Sequence, residues 1–162
     1  MIGKTREPIF MQTTIDQVLE CRQTFGRNYS ASLEPFYQEC QLFIGQLRAC
    51  FQKSEWQVLD QQCTAALRTV HALKGVMLEF QFAEMAGWLQ SIEDLFVEIV
   101  DRKKAFLEES TEELMAFVNG LEEVVNAVYS STHIPKLQRL TAFAAYSLRA
   151  FIRHYALQSS GS

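Results

Sequence analysis

Apolar residues recur at three- and four-residue steps through almost the whole chain, and that spacing limits the fold more than any other feature. On an α-helix, such steps collect side chains into one buried stripe. Phe36, Cys40, Phe43, Ile44, Leu47 and Phe51 form the first long stripe. Leu59, Cys63, Ala66, Leu67, Val70, Leu73 and Met77 form the second, and Phe82, Met85, Leu89, Ile92, Phe96 and Ile99 the third. Leu114, Phe117, Val118, Leu121, Val124, Val125 and Val128 make the fourth. A last stripe holds Leu137, Leu140, Phe143, Ala144, Leu148, Phe151, Ile152 and Tyr155, and a short one holds Ile15, Val18 and Leu19. With only seven glycines and three prolines, few positions interrupt these helices. The pattern predicts an all-α protein. An antiparallel four-helix bundle should occupy residues 32–130, with a short helix in the segment 1–31 and an additional helix at 131–157 outside it. The polar end, 158–162, is expected to be disordered.

Local signals place the helix ends. Thr14 to Gln17, Ser54 to Gln57 and Ser110 to Glu113 each match a capping box, in which a hydroxyl and a later acid or amide satisfy free backbone amides. Gly26 to Ser30 reads as a loop. Ser32 suits an N-cap, and Pro35 suits a helix's first turn, where its missing N–H costs nothing. A break is expected near Glu79 to Gln81, another at the charged run Asp101 to Lys104, and Pro135 suits the start of the last helix.

At 162 residues and a formal charge of −4, the chain makes one domain and lacks the basic excess of a nucleic-acid binder. No apolar run approaches the roughly 20 residues of a membrane-crossing helix. Met1 to Phe10 lacks the apolar core of a secretory signal, so a cytoplasmic location is expected. Cys21, Cys40, Cys50 and Cys63 lack the close pairing that zinc ligands need; Cys40, Cys50 and Cys63 read instead as small buried hydrophobes. The residues three before His71, His133 and His154 are Arg68, Ser130 and Phe151, so the Glu-x-x-His pairs of di-iron bundles are missing. No glycine-rich phosphate loop or nucleophile elbow occurs. No metal or cofactor is expected, and Trp56 and Trp88 read as packing residues. Charge is uneven: Glu79 to Glu123 holds twelve acids against three bases, whereas the last helix carries Lys136, Arg139, Arg149 and Arg153 and no acid. A solvated basic face, or one beside acidic helices, is the plain reading; a docking surface is the other.

One stretch carries chemistry: Thr69-Val70-His71-Ala72-Leu73-Lys74-Gly75. His71, Lys74, Gly75 and Leu78 share a helix face. His71 sits at the edge of the apolar stripe, where one ring nitrogen can be held while the other meets solvent. Lys74, one turn on, puts an ammonium near any group on the ring, and Gly75 leaves room for another molecule's backbone.

His71-Ala72-Leu73-Lys74-Gly75 resembles the H-x-L-K-G signature of histidine phosphotransfer domains. Phe80-Gln81-Phe82 is similar to the F-G-F that follows in the phosphorylatable domain of chemotaxis-type histidine kinases, and Leu89 to Phe96 resembles that domain's next helix. The resemblance covers roughly 32 to 130. It implies that His71 is phosphorylated, that Glu93 hydrogen-bonds its ring, that Lys74 offsets phosphoryl charge, and that Gln90 is a second polar neighbour. It implies a phosphocarrier rather than an enzyme in its own right. The partners would be a histidine kinase catalytic domain, as donor, and a response-regulator receiver, whose aspartate accepts. Gly75 and Leu78 would lie on the binding face of a monomer. Two departures stand out. Gln81 replaces a glycine where a left-handed backbone is wanted, at a cost of around 1 kcal/mol. Leu78 is bulkier than the small residue usual there.

Taken singly, a helix histidine is most often a surface or satisfied core residue, and Glu93 alone would be a solvated acid. His133 reads as a loop residue and His154 as part of the basic helix. Two rivals therefore stand beside the carrier: a docking scaffold on the same fold that transfers no phosphate, and an enzyme or cofactor-binding bundle.

Overall fold

A computed structural model describes residues 13–51, 59–102 and 108–160, and every regular element among them is helical. In chain order they are α1 (Thr14–Phe25), α2 (Tyr29–Phe51), α3 (Leu59–Glu79), α4 (Ala83–Arg102), α5 (Glu108–Tyr129) and α6 (Ile134–Ser160), with a single 3₁₀ turn, Gly26–Asn28, between α1 and α2. The capping signal Ser54 to Gln57, Trp56 and the segment Met1 to Phe10 lie outside the described residues. So do the side chains of Phe51, Leu59, Ile99 and Tyr155. No described helix is long and apolar enough to cross a membrane.

The apolar stripes turn inward as their spacing requires. Phe36, Phe82, Phe96, Phe117 and Phe151 are fully buried together with Leu73, Met77, Leu89 and Ile92. At about 1.5–3 kcal/mol for each large side chain removed from water, this core is the main term holding the helices together. α2 packs along α3 and α5, α3 along α4, and α6 along α5, while α1 touches α2, α4 and α6. Cross-contacts give the directions. Arg48 reaches Glu122 and Asn119, whereas Gln41 reaches Asn126, so α2 and α5 run antiparallel. Gly120 lies against Ala144 and Glu113 against His154, so α5 and α6 do too. A Cβ on Gly120 would stand 3.3 Å from the Ala144 backbone; the missing methyl lets the two helices touch.

The α3–α4 turn is the joint that positions the site. Phe82 N–H donates to Met77 O at 2.9 Å and Gln81 N–H to Leu78 O at 3.0 Å, a Schellman end with Gln81 in the left-handed region at φ 65°. The departure from glycine therefore falls on a strained residue. Phe80 and Phe82 both pack on Phe36, with ring centroids 5.2 and 5.0 Å away, which fixes the turn against α2. α5 ends the same way, with Ser131 at φ 57° and Thr132 N–H donating to Ala127 O. Arg22 from α1 donates to Thr132 O there at 2.6 Å, and the buried Tyr29 hydroxyl donates to Val128 O at 2.5 Å. Burial pushes the Tyr29 hydroxyl up to about 12, with the Arg22 charge opposing.

Several local expectations are corrected. Thr13, not Thr14, caps α1: its Oγ1 accepts from Asp16 N–H, while Thr14 is buried and its N–H donates to Glu84. α1 continues to Phe25, and Leu19 is exposed rather than inward. The expected loop at Gly26 to Ser30 is a 3₁₀ turn leading straight into α2, so Ser32 is internal and no cap. Pro35 sits inside α2 as its seventh residue and has no N–H to give the carbonyl of Ala31, an exposed residue. Ser110 is the third residue of α5 rather than its cap. Phe143 is exposed, because Ala144 and Leu148 take the buried side of α6. α6 also runs on to Ser160, into the stretch expected to be disordered. Cys40 and Cys63 are buried and Cys21 and Cys50 half-buried; burial pushes the Cys40 thiol well up. Trp88 packs edge-on to Phe117 at 6.2 Å.

Candidate functional site

His71 lies midway along α3, one position from the buried Val70, and that offset turns its ring outward. The side chain is 71% exposed. Its Nδ1 is 3.2 Å from Glu93 Oε2 on α4. A carboxylate accepts only, so Nδ1 carries the proton in the neutral ring, which leaves the Nε2 lone pair as the free nucleophile. The antiparallel pairing of α3 and α4 makes this contact: one turn further along α3, Lys74 meets α4 one turn earlier, at Gln90. Lys74 Nζ donates to Gln90 Oε1 at 2.7 Å and lies 3.0 Å from Glu93 Oε2, the same oxygen that takes His71.

Burial by itself would push the Glu93 carboxyl up. The hydrogen bonds from Lys74 and His71 and the two charges behind them outweigh it and hold Glu93 below its ordinary value. Glu93 thus stays ionised and is set to stabilise positive charge on the ring. Lys74 is only 15% exposed and turned toward α4, not free over the ring as its spacing alone suggested. These two contacts leave one N–H of the ammonium for a group on His71.

The structure therefore brings His71, Lys74, Glu93 and Gln90 together. Gly75 and Leu78 extend the same face toward the α3–α4 turn. A Cβ on Gly75 would meet nothing within 4 Å, so the chain's own packing makes no use of the glycine. Leu78 is 55% exposed on this face. A Cβ on Gly87 of α4 would likewise meet nothing within 4 Å.

Two features were not read from the sequence. Asp94 Oδ1 accepts from Gln90 Nε2 at 2.8 Å, which continues the polar chain by one member; the four-residue step from Gln90 to Asp94 was the available signal. Elsewhere His154 Nδ1 stands 2.5 Å from Glu113 Oε2, joining α6 to α5. No local spacing announces that pair, because its two members are far apart in sequence. His133 is exposed at the start of α6 and joins neither group. No cluster of three metal-ligating side chains occurs among the described residues. Neither a family model, nor a curated protein, nor a solved structure matches the chain.

Proposed function

We propose that the chain is a phosphocarrier of two-component or chemotaxis-like signalling, with α2 to α5 as an antiparallel four-helix bundle of the histidine phosphotransfer type and α1 and α6 packed outside it. The observation that carries this reading is an exposed imidazole whose Nδ1 is held by a carboxylate that is itself held by a lysine. The geometry suits a nucleophile. Nε2 attacks phosphorus of the donor, either ATP on a kinase domain or an aspartyl phosphate on a receiver. The bond from phosphorus to the donor oxygen breaks and its electron pair leaves with that oxygen. The ring keeps its Nδ1 proton and becomes positive, and Glu93 stabilises it. Lys74 swings to the phosphoryl oxygens. In the return step a receiver aspartate attacks phosphorus and the electron pair goes back to Nε2. Kinase and receiver supply the magnesium, and the carrier supplies position. Such a protein works as a monomer in the cytoplasm and contacts neither membrane nor nucleic acid.

Exposed Leu78 favours a second reading, a docking scaffold that transfers no phosphate. The test is incubation with labelled ATP and a panel of histidine kinase domains, followed by chase onto receivers. Acid-labile phosphate that passes to a receiver supports the carrier. In that case Leu78→Ala preserves or speeds transfer from a receiver. No phosphate on the wild-type protein with any kinase, together with partner binding weakened by Leu78→Ala, supports the scaffold.

A further inference from the structure

We propose that Asp94 is a positioning residue for phosphotransfer: by accepting from the Gln90 amide it turns the Gln90 carbonyl onto Lys74 and so sets where the lysine waits beside His71. The proposal rests on the phosphotransfer reading of His71.

A glutamine side chain can present either end of its amide to a neighbour. Facing an ammonium, only the carbonyl end attracts; the amino end would bring donor against donor. Nothing in Gln90 itself selects between them. Asp94 does, because a carboxylate only accepts. With Nε2 of Gln90 2.8 Å from Asp94 Oδ1, Oε1 is left to Lys74 Nζ at 2.7 Å. From His71 through Glu93, Lys74 and Gln90 to Asp94, each donor then meets an acceptor, and Asp94 fixes the far end. One helical turn on α4 separates Gln90 from Asp94, so the anchor costs no rearrangement of the backbone. Asp94 is exposed and packs against none of the core, so the contact with Gln90 is what the structure shows it doing. It touches neither His71 nor any reacting atom and acts only through Gln90 and Lys74.

The test uses the full chain and two readouts. The first is the 15N signal of the Lys74 ammonium, assigned by its loss in Lys74→Ala and read in unphosphorylated protein. Asp94→Ala should shift and broaden it through faster exchange, and Asp94→Glu, which still reaches Gln90, should restore it. The second is the rate of phosphate uptake at His71. Asp94→Ala should slow it roughly two- to ten-fold, the size of one hydrogen bond, with rescue by Asp94→Glu and no further slowing in a Gln90→Leu background. An unchanged Lys74 signal in Asp94→Ala overturns the proposal. Equal slowing with and without Gln90 also overturns it, since Asp94 would then act by its charge on a partner. If the wild-type protein takes no phosphate, the phosphotransfer reading fails and the role in transfer falls with it. The ammonium signal still decides separately whether Asp94 orders Lys74.

Discussion

Two histidine–carboxylate pairs stand among the described residues, one on each of two tightly packed helix pairs. His71 and Glu93 join α3 to α4; His154 and Glu113 join α6 to α5. In both, a ring Nδ1 faces a glutamate Oε2, so the pair alone does not distinguish a nucleophile from a structural tie. The surroundings of the two pairs differ. His71 is the more exposed of the two histidines, 71% against 46%. Its glutamate is shared with a lysine, and its flank is the open backbone of Gly75. Arg153, the cation nearest His154 in sequence, makes no ion pair with Glu113, and the Glu113 oxygen stands close without a hydrogen bond aligned to it. A carboxylate beside an imidazole orients the ring. Chemistry on that ring needs in addition a cation for the incoming charge and room for a partner.

The comparison breaks most sharply at the two histidines. His71→Gln should abolish acid-labile phosphorylation and His154→Gln should leave it intact, as read by labelled phosphate after kinase treatment. Because the His71 ring is exposed, the first substitution should change stability by no more than roughly 1 kcal/mol. Uptake that survives in His71→Gln and disappears in His154→Gln would reverse the assignment. Next in size is Lys74→Ala. It should slow transfer by roughly ten- to a hundred-fold without stopping it, since one charge-stabilising contact is lost while the nucleophile remains. An unchanged rate in stopped phosphotransfer assays would leave the lysine a structural tie, like the contacts of His154.

A pH experiment sharpens the role of Glu93. Its folded value is lowered, so its contribution to stability is full above the ordinary glutamate value of about 4.3 and is lost as pH falls through the lowered one. Urea unfolding of wild type and Glu93→Gln should therefore differ at pH 7 and converge on acidification toward pH 3. A gap that widened instead would contradict the sign. The smallest effect concerns the joint that holds α3 and α4 in register. Gln81→Gly should raise stability by about 1 kcal/mol, because φ 65° costs a side chain and glycine relieves it. The thermal midpoint reports it, and no gain would mean that the Gln81 side chain repays its strain.

The helices and the pairing at the site were legible because both are periodic. Inward positions such as Val70, Leu73 and Met77 follow from steps of three and four, and the distance from His71 to Glu93 follows from two helices joined by a tight turn. Helix starts were less legible. Thr13 and Thr14 both bear hydroxyls, and only the tertiary contact of Thr14 with Glu84 decides which one caps. Pro35 misled for a related reason: a buried Tyr29 bonded to α5 makes an earlier start worth one lost hydrogen bond. Phe143 repeats at helical spacing yet faces out, because Gly120 gives the close approach to Ala144. The destination of Lys74 was also hidden, since it depends on which amide end Gln90 presents.

The contact at Gly120 bears on where this chain can be divided. α6 meets α5 through bare backbone and buries Leu137, Ala144, Leu148 and Phe151. A fragment cut after residue 130 would keep His71, Lys74, Gln90 and Glu93 but bare the flank of α5 around Gly120 to water. The smallest piece that carries the His71 cluster and the smallest piece that keeps this flank covered are therefore different lengths, and the difference is one helix.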